Sequence, residues 1–342
     1  MNETKAPIRV AVDAMGSDFG PRPVVAGALE LLAEDAGKEY RLLLVGDPKK
    51  IEAELARHRA HNGELEIVAA SEKVEMGEPP SEAVKKKDSS IAVAARLVKE
   101  GRADAWLSGG NTGAVMASAL LTLGRLEGVS RPAIAIVFPT VKAPAMLLDV
   151  GANAECKPLH LEQFALMGSI YYSYVFNHTE PKVGLLSIGE EPTKGNELVL
   201  ASHRLLAESG LNFQGNVEGR DVMEGGCQVI VTDGFTGNVI LKFAEGLYGF
   251  LGKKFRHQIS TNIFSRFAVF LLAPFLRRLK KSLDYAEYGG APLLGVNGVT
   301  IICHGGSSAR AIKNGIKAAA GMFRARVNEH IQEKLAGWKE TD

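Results

Sequence analysis

Residues 228–245 read QVIVTDGFTGNVILKFAE. The first half is an apolar, β-branched run, the pattern of a strand buried on both faces. After Asp233, Gly234, Phe235, Thr236, Gly237 and Asn238 the apolar spacing turns helical. The stretch therefore predicts a strand that ends in a tight glycine loop, with a helix starting there. Such a loop aims backbone N–H groups and the positive end of a helix dipole at whatever lies above the sheet, a geometry that favours an anion.

The same device recurs without a true sequence repeat. Strand patterns at 103–107, 145–148, 182–187 and 299–303 run into loops built on Gly110-Asn111-Thr112, Gly151-Ala152-Asn153, Lys194-Gly195-Asn196 and Gly305-Gly306-Ser307-Ser308, and each loop feeds a helical pattern. Upstream, strands at 8–12, 41–45 and 65–69 alternate with helices, with one at 23–33 and a surface helix after Asp47-Pro48. Alternating β and α is the mark of a mostly parallel sheet. Asn111, Asn153, Asn196 and Asn238 each follow the C-terminal end of a predicted strand, where open α/β sheets place their ligands. Their recurrence is read as one shared site at one sheet edge.

The chain has 342 residues and a formal net charge of +1. That length allows two domains or one large α/β unit, and the charge argues against a globally basic nucleic-acid binder. Cys156, Cys227 and Cys303 are far apart, which indicates neither a disulfide framework nor a zinc site and fits a reducing cytosol. The N-terminal MNETKAPIRV leads into a strand without the apolar core of a signal peptide. The longest apolar run, 267–276, is about half of the roughly twenty residues a spanning helix needs.

Residues 246–283 differ in kind. They hold no acidic residue, yet carry Lys253, Lys254, Arg256, Arg266, Arg277, Arg278, Lys280 and Lys281 around that apolar run. The segment reads as a helical excursion from the core, made either for an anionic bilayer surface or for a dimer or core-packing contact.

Several chemistries lack their signals. There is no GxxxxGK[ST], no GxGxxG opening a helix after a strand, no GxSxG and no HExxH. The glycine–asparagine loops are left to carry the chemistry, because asparagine offers donors and an acceptor while glycine lets an anion approach the backbone. The alternative for each is an ordinary turn residue. Lys194, inside a glycine-bounded loop, faces an anion or only solvent. Ser307 and Ser308 cap the last helix or donate to a ligand there. His304 is a general base or a structural hydrogen-bonding residue, Cys303 a buried thiol, and Asp13, Asp18 and Asp233 bind a substrate or pin their turns.

Eight stretches in order carry a resemblance: VDAMGSDFGP (12–21), MGEPP (76–80), KKKDSS (85–90), SGGNTGA (108–114), DVGAN (149–153), SIGEEPTKGNE (187–197), DGFTGNVILK (233–242) and YGGAPLLGVNG (288–298). Together they resemble the bacterial phosphate acyltransferase family, which makes acyl phosphate from acyl-[acyl carrier protein] for phospholipid synthesis. The resemblance spans nearly the whole chain. Ser17 stands where the family has glycine and Gly109 where alanine is common, and neither change removes a charged or amide group.

The resemblance implies a three-layer α/β/α sandwich with a mostly parallel sheet, similar to the isopropylmalate-dehydrogenase-like and phosphate-acetyltransferase group. It implies one α/β unit over 1–342, with 246–283 as an excursion within it, no cofactor and no metal. The implied partners are acyl carrier protein, inorganic phosphate, a second copy of the chain and the downstream glycerol-3-phosphate acyltransferase, at the inner face of the membrane. For such a reaction Lys194 and Asn238 are the expected catalytic residues, with the amides around Gly237 as further donors. Gly110, Asn111, Thr112, Asn153, Asn196, Ser307 and Ser308 would complete a phosphate pocket, and Lys253, Lys254, Arg277, Arg278, Lys280 and Lys281 would meet the acidic carrier or lipid. A short-chain phosphate acetyltransferase acting on acyl-CoA and a non-catalytic membrane scaffold are the alternatives.

Overall fold

In β1 (Ile8–Asp13) the apolar side chains alternate between two cores: Val10 and Val12 enter one and Ala11 the other. β2 (Tyr40–Gly46) repeats this, with Leu42 and Leu44 set against Leu43 and Val45. Strands apolar on both faces must be covered on both, so helices lie above and below the sheet.

The computed structural model describes residues 6–34, 39–58, 64–260, 269, 271–276 and 288–338. After β1 come α1 (Pro21–Glu34), β2, α2 (Pro48–Leu55), β3 (Glu64–Ala69), α3 (Pro80–Ala83), α4 (Ser90–Lys99), β4 (Ala105–Ser108) and α5 (Thr112–Thr122). The middle of the chain holds β5 (Ala133–Phe138), β6 (Ala145–Leu148), α6 (Pro158–Phe176), β7 (Val183–Leu186), α7 (Glu197–Glu208) and β8 (Phe213–Val217). Then follow β9 (Val229–Val231), α8 (Gly234–Ser260), β10 (Ala291–Leu294), β11 (Val299–Ile302), α9 (Ala309–Arg324) and α10 (Val327–Ala336). Helices α1, α6, α9 and α10 pack on the face of Val10, whereas α4 and α5 pack on the face of Ala11. The α/β/α class read from the sequence is the observed one.

Among the described residues the eleven strands form one sheet, ordered β3-β2-β1-β4-β11-β10-β5-β6-β9-β7-β8. The first five are mutually parallel, and so are the last four. Between the blocks, β10 runs antiparallel to both β11 and β5, and β5 runs antiparallel to β6. Three successive reversals leave the second block pointing opposite to the first. The loops after β4 and β11 therefore leave one end of the sheet, and those after β6, β7 and β9 leave the other. This corrects the expectation of a single edge: alternation along the sequence does not specify the direction in which a second block is inserted. The short strand β10 is hidden inside YGGAPLLGVNG, where glycine and proline mask it.

The helix expected after Asn238 begins at Gly234 instead. The carboxylate of Asp233 accepts from the Thr236 backbone N–H at 2.9 Å and from its hydroxyl at 2.8 Å, capping the first turn. α8 then runs unbroken past residue 246, so the start of the 246–283 interval continues a helix that begins over the sheet.

Candidate functional site

Two buried aspartates hold the loops at the strand ends. Asp13 accepts from the backbone N–H groups of Met15 and Gly16 and, at 2.6 Å, from the Ser108 hydroxyl, which ties the β1 loop to the β4 loop. Asp149 accepts from the backbone of Ile134, Gly151, Ala152 and Asn153 and from the Asn153 side chain. Burial pushes its pKa up, opposed by those donors. The Asn153 amide also donates to the Pro132 carbonyl at 2.7 Å, so it is committed to the scaffold. Asn111 is committed likewise. Its Oδ1 accepts from Ala114, and its amide donates to the carbonyls of Met76 and Glu78, which fastens the MGEPP loop to the start of α5.

These pinned loops frame a cavity of about 350 Å³ over the antiparallel seam. Its floor is Ile134, Ile136 and Val137 of β5, with Ile302 and Cys303 from the end of β11. One wall is the first turn of α5, through Thr112, Gly113 and Met116, and the other is α8 through Asn238, Leu241, Lys242 and Glu245. Tyr288 and His304 close the rim. α5 starts from one end of the sheet, and α8 starts from the other and runs back across the same face. Opposed strand directions thus still deliver two helices to one cavity, at the place where the direction changes.

The chemistry of the lining is divided. Met116, Ile134, Ile136, Val137, Leu241 and Ile302 offer apolar surface, while Thr112, Asn238, Lys242 and His304 offer donors. Lys242 pairs with Glu245 at 2.9 Å, one turn along. Burial pushes the Cys303 thiol up to about 12, so it stays protonated and is a poor nucleophile. Among the described residues no cluster of His, Cys, Asp and Glu is arranged to hold a metal ion.

A family described as "Fatty acid synthesis protein" matches residues 8–330. The phosphate acyltransferase of Heliobacterium modesticaldum is 52% identical over 96% of this chain and 99% of its own. That of Pelotomaculum thermopropionicum is 50% identical over 96% of this chain and 95% of its own. The chain belongs to the phosphate acyltransferase family. It is an acyl-transferring enzyme of lipid biosynthesis. The fold is similar to a phosphotransacetylase from Streptococcus pyogenes, with a TM-score of 0.64 at 17% identity over 94% of each chain. It is also similar to the EutD phosphotransacetylase from Staphylococcus aureus, with a TM-score of 0.60 at 16% identity over 93% of this chain and 94% of that one.

Of the residues expected to serve a phosphate acyltransferase, the structure brings Thr112 and Asn238 to the cavity wall. The Gly110 amide donates to the Ser108 hydroxyl behind it. Asn196 and Ser308 cap α7 and α9 through Val199 and Ala311, and Ser307 is buried, its amide donating to the His304 carbonyl. Lys194 lies outside the lining, exposed on the loop before α7, with its carbonyl accepting from the Ser187 hydroxyl. Gly237 lies against Asp149: a Cβ there would stand 1.9 Å from the Asp149 carbonyl oxygen. One on Gly234 would stand 2.6 Å from that of Asn153. These glycines let α8 press on the β6 loop. Lys253 and Lys254 are exposed on α8, and Arg277, Arg278, Lys280 and Lys281 lie outside the described residues.

Sequence reasoning gave no role to Lys242, Glu245, Tyr288 or the β5 floor. The signal for two of them was present, because 238, 241, 242 and 245 stand at i, i+3, i+4 and i+7 and share one helix face.

Proposed function

We propose that this phosphate acyltransferase moves a long-chain acyl group from acyl carrier protein to inorganic phosphate, releasing acyl phosphate and the free carrier. The observation that carries this reading is the divided cavity: an apolar floor for acyl chain beside a cluster of donors for anionic oxygen. Phosphate is itself the nucleophile. An oxygen of hydrogen phosphate attacks the thioester carbonyl carbon, the carbonyl pair moves onto oxygen, and collapse expels the carrier's thiolate. The phosphate proton ends on sulfur.

The protein has to place the two reactants together, stabilise the oxyanion and exclude water. The first turn of α5 presents the positive end of its dipole and the Thr112 hydroxyl. Asn238 supplies a neutral amide donor and Lys242 a cation, its charge moderated by Glu245. Lys194 is proposed as a second cation reaching from its exposed loop, and Gly110, Asn111, Asn153, Asn196, Gly237, Ser307 and Ser308 as the frame of the phosphate subsite.

The acidic carrier would dock on the basic residues Lys253, Lys254, Arg277, Arg278, Lys280 and Lys281. The same segment would hold the protein at the inner membrane face beside the next acyltransferase. Among the described residues no helix is long and apolar enough to cross a membrane. A second copy is proposed on the outer face of α8, where Phe235, Val239, Phe243 and Leu247 are exposed at four-residue intervals.

Purified protein incubated with palmitoyl-acyl carrier protein and labelled phosphate should form labelled acyl phosphate, with acetyl-CoA a much poorer donor. Efficient use of acetyl-CoA alone would favour the short-chain reading. Liposome binding with no acyl phosphate would favour the scaffold.

A further inference from the structure

The loop after β11 selects one tautomer of a neutral histidine ring. The Cys303 amide donates to the Ser108 carbonyl at 2.8 Å and the Ser307 amide to the His304 carbonyl at 2.9 Å, so the backbone on both sides is held. The Gly306 backbone N–H donates to His304 Nδ1 at 3.0 Å. A backbone amide has only a proton to give, so Nδ1 must offer a lone pair, and the neutral ring then carries its proton on Nε2. Glycine eases this approach, since a Cβ at Gly306 would stand 3.3 Å from Nδ1, a tight contact. The ring is exposed and lines the cavity with Thr112 and Asn238. Among the described residues Nε2 has no hydrogen-bond partner.

We propose that His304 serves the reaction as a neutral Nε2–H donor to an anionic oxygen, and not as a general base. A base at Nε2 needs a lone pair there. Shifting the proton to Nδ1 to create one would set two donors, Nδ1–H and the Gly306 amide, against each other. The attack described above also leaves no proton for a base to take, because hydrogen phosphate offers lone pairs directly and its own proton leaves with sulfur. The charged and titratable groups around the ring are Asp18, whose carboxylate lies against Gly305 and Gly306, Lys242 and Glu245 on α8, and Tyr288 at the rim. Asp18 does not displace the Gly306 amide from Nδ1.

The inference rests on the acyl transfer proposed above, but its first test does not. In ¹⁵N-histidine-labelled protein at neutral pH, His304 should show a protonated Nε2 and an unprotonated Nδ1, and added inorganic phosphate should leave that tautomer unchanged. An Nδ1–H tautomer would overturn the proposal whether or not the enzyme uses acyl carrier protein. The second test is kinetic. His304→Ala should lower kcat or kcat/KM by about 10²- to 10³-fold, the usual loss for one such donor. His304→Gln, whose amide nitrogen lies near the place of Nε2, should recover activity to within about tenfold of wild type, because a neutral donor is restored. A raised KM for phosphate would identify the oxygen as phosphate's, and a lowered kcat at unchanged KM would identify it as the thioester oxyanion. Equal loss in both variants, with the acid limb of the wild-type pH profile abolished, would make His304 a base and sink the proposal. Wild-type turnover in His304→Ala would sink it as well.

Discussion

Asn238 and Asn153 are the same residue type after the same kind of strand, and the structure gives them different work. Asn153 spends its amide on Pro132 and Asp149 and is buried. Asn238 stands in the cavity wall, its side chain beside Gly151. Asn238→Ala should therefore lower turnover by about 10²- to 10³-fold with little change in stability, if it supplies an oxyanion donor. Asn153→Ala should lower the melting temperature, because a buried carboxylate loses a donor, at a cost of about 1–3 kcal/mol. Thermal melts and steady-state kinetics on both variants separate these outcomes. Lys194 and Lys242 divide in a similar way. If Lys194→Ala keeps wild-type turnover at saturating phosphate, Lys194 has no catalytic role and Lys242 is the cation that serves the anion.

At the scale of elements, α8 presents three faces. It packs Ile240, Leu241 and Ala244 on the core, turns Asn238, Lys242 and Glu245 to the cavity, and exposes Phe235, Val239 and Phe243 on the outside. Its seat depends on Gly237, where any side chain meets the Asp149 carbonyl. Gly237→Ala should destabilise the protein by about 1–3 kcal/mol through overpacking, measured by denaturant unfolding, and should displace Asn238 so that activity falls as well.

Helices α1 and α9 are joined by Glu34, whose carboxylate meets Lys313 Nζ at 2.6 Å and Lys317 Nζ at 2.9 Å. Hydrogen bonds from Lys313 and then Lys317 hold its pKa near 2, below the ordinary 4.5. A carboxylate with a lowered folded pKa stabilises the fold above its unfolded pKa and loses that contribution as the pH falls through the folded value. Melting temperature should thus decline between about pH 4.5 and 2 less steeply in Glu34→Gln than in wild type. Because the pair is solvent-exposed, the difference should be small and should shrink in high salt.

For the whole molecule, the reversal of strand direction at β10 and β5 is what makes the site. The seam puts β5 under the cavity and lets α5 and α8 cross the same face from opposite ends. The outer stripe of α8 leaves that face apolar, and large exposed apolar patches mark interaction surfaces. Phe243→Glu should convert the proposed dimer to a monomer, read by light scattering after size exclusion, and an unchanged mass would place the interface elsewhere.

The sequence by itself determined the class of fold, the alternation of most strands and helices, and the family. Periodicity and turn chemistry are local, and eight short motifs in one order are specific. It also marked Asn238 and Thr112, because both stand where a strand hands over to a helix. It did not determine the direction of the second block, since that depends on the pairing of β10 with β5 over more than a hundred residues. Nor could it say which asparagine is committed to the scaffold, or choose between a general base and a structural hydrogen-bonding residue at His304. Those outcomes depend on which backbone groups meet each side chain, and only the tertiary structure brings Pro132 to Asn153 and fixes the Gly306 amide on the histidine ring.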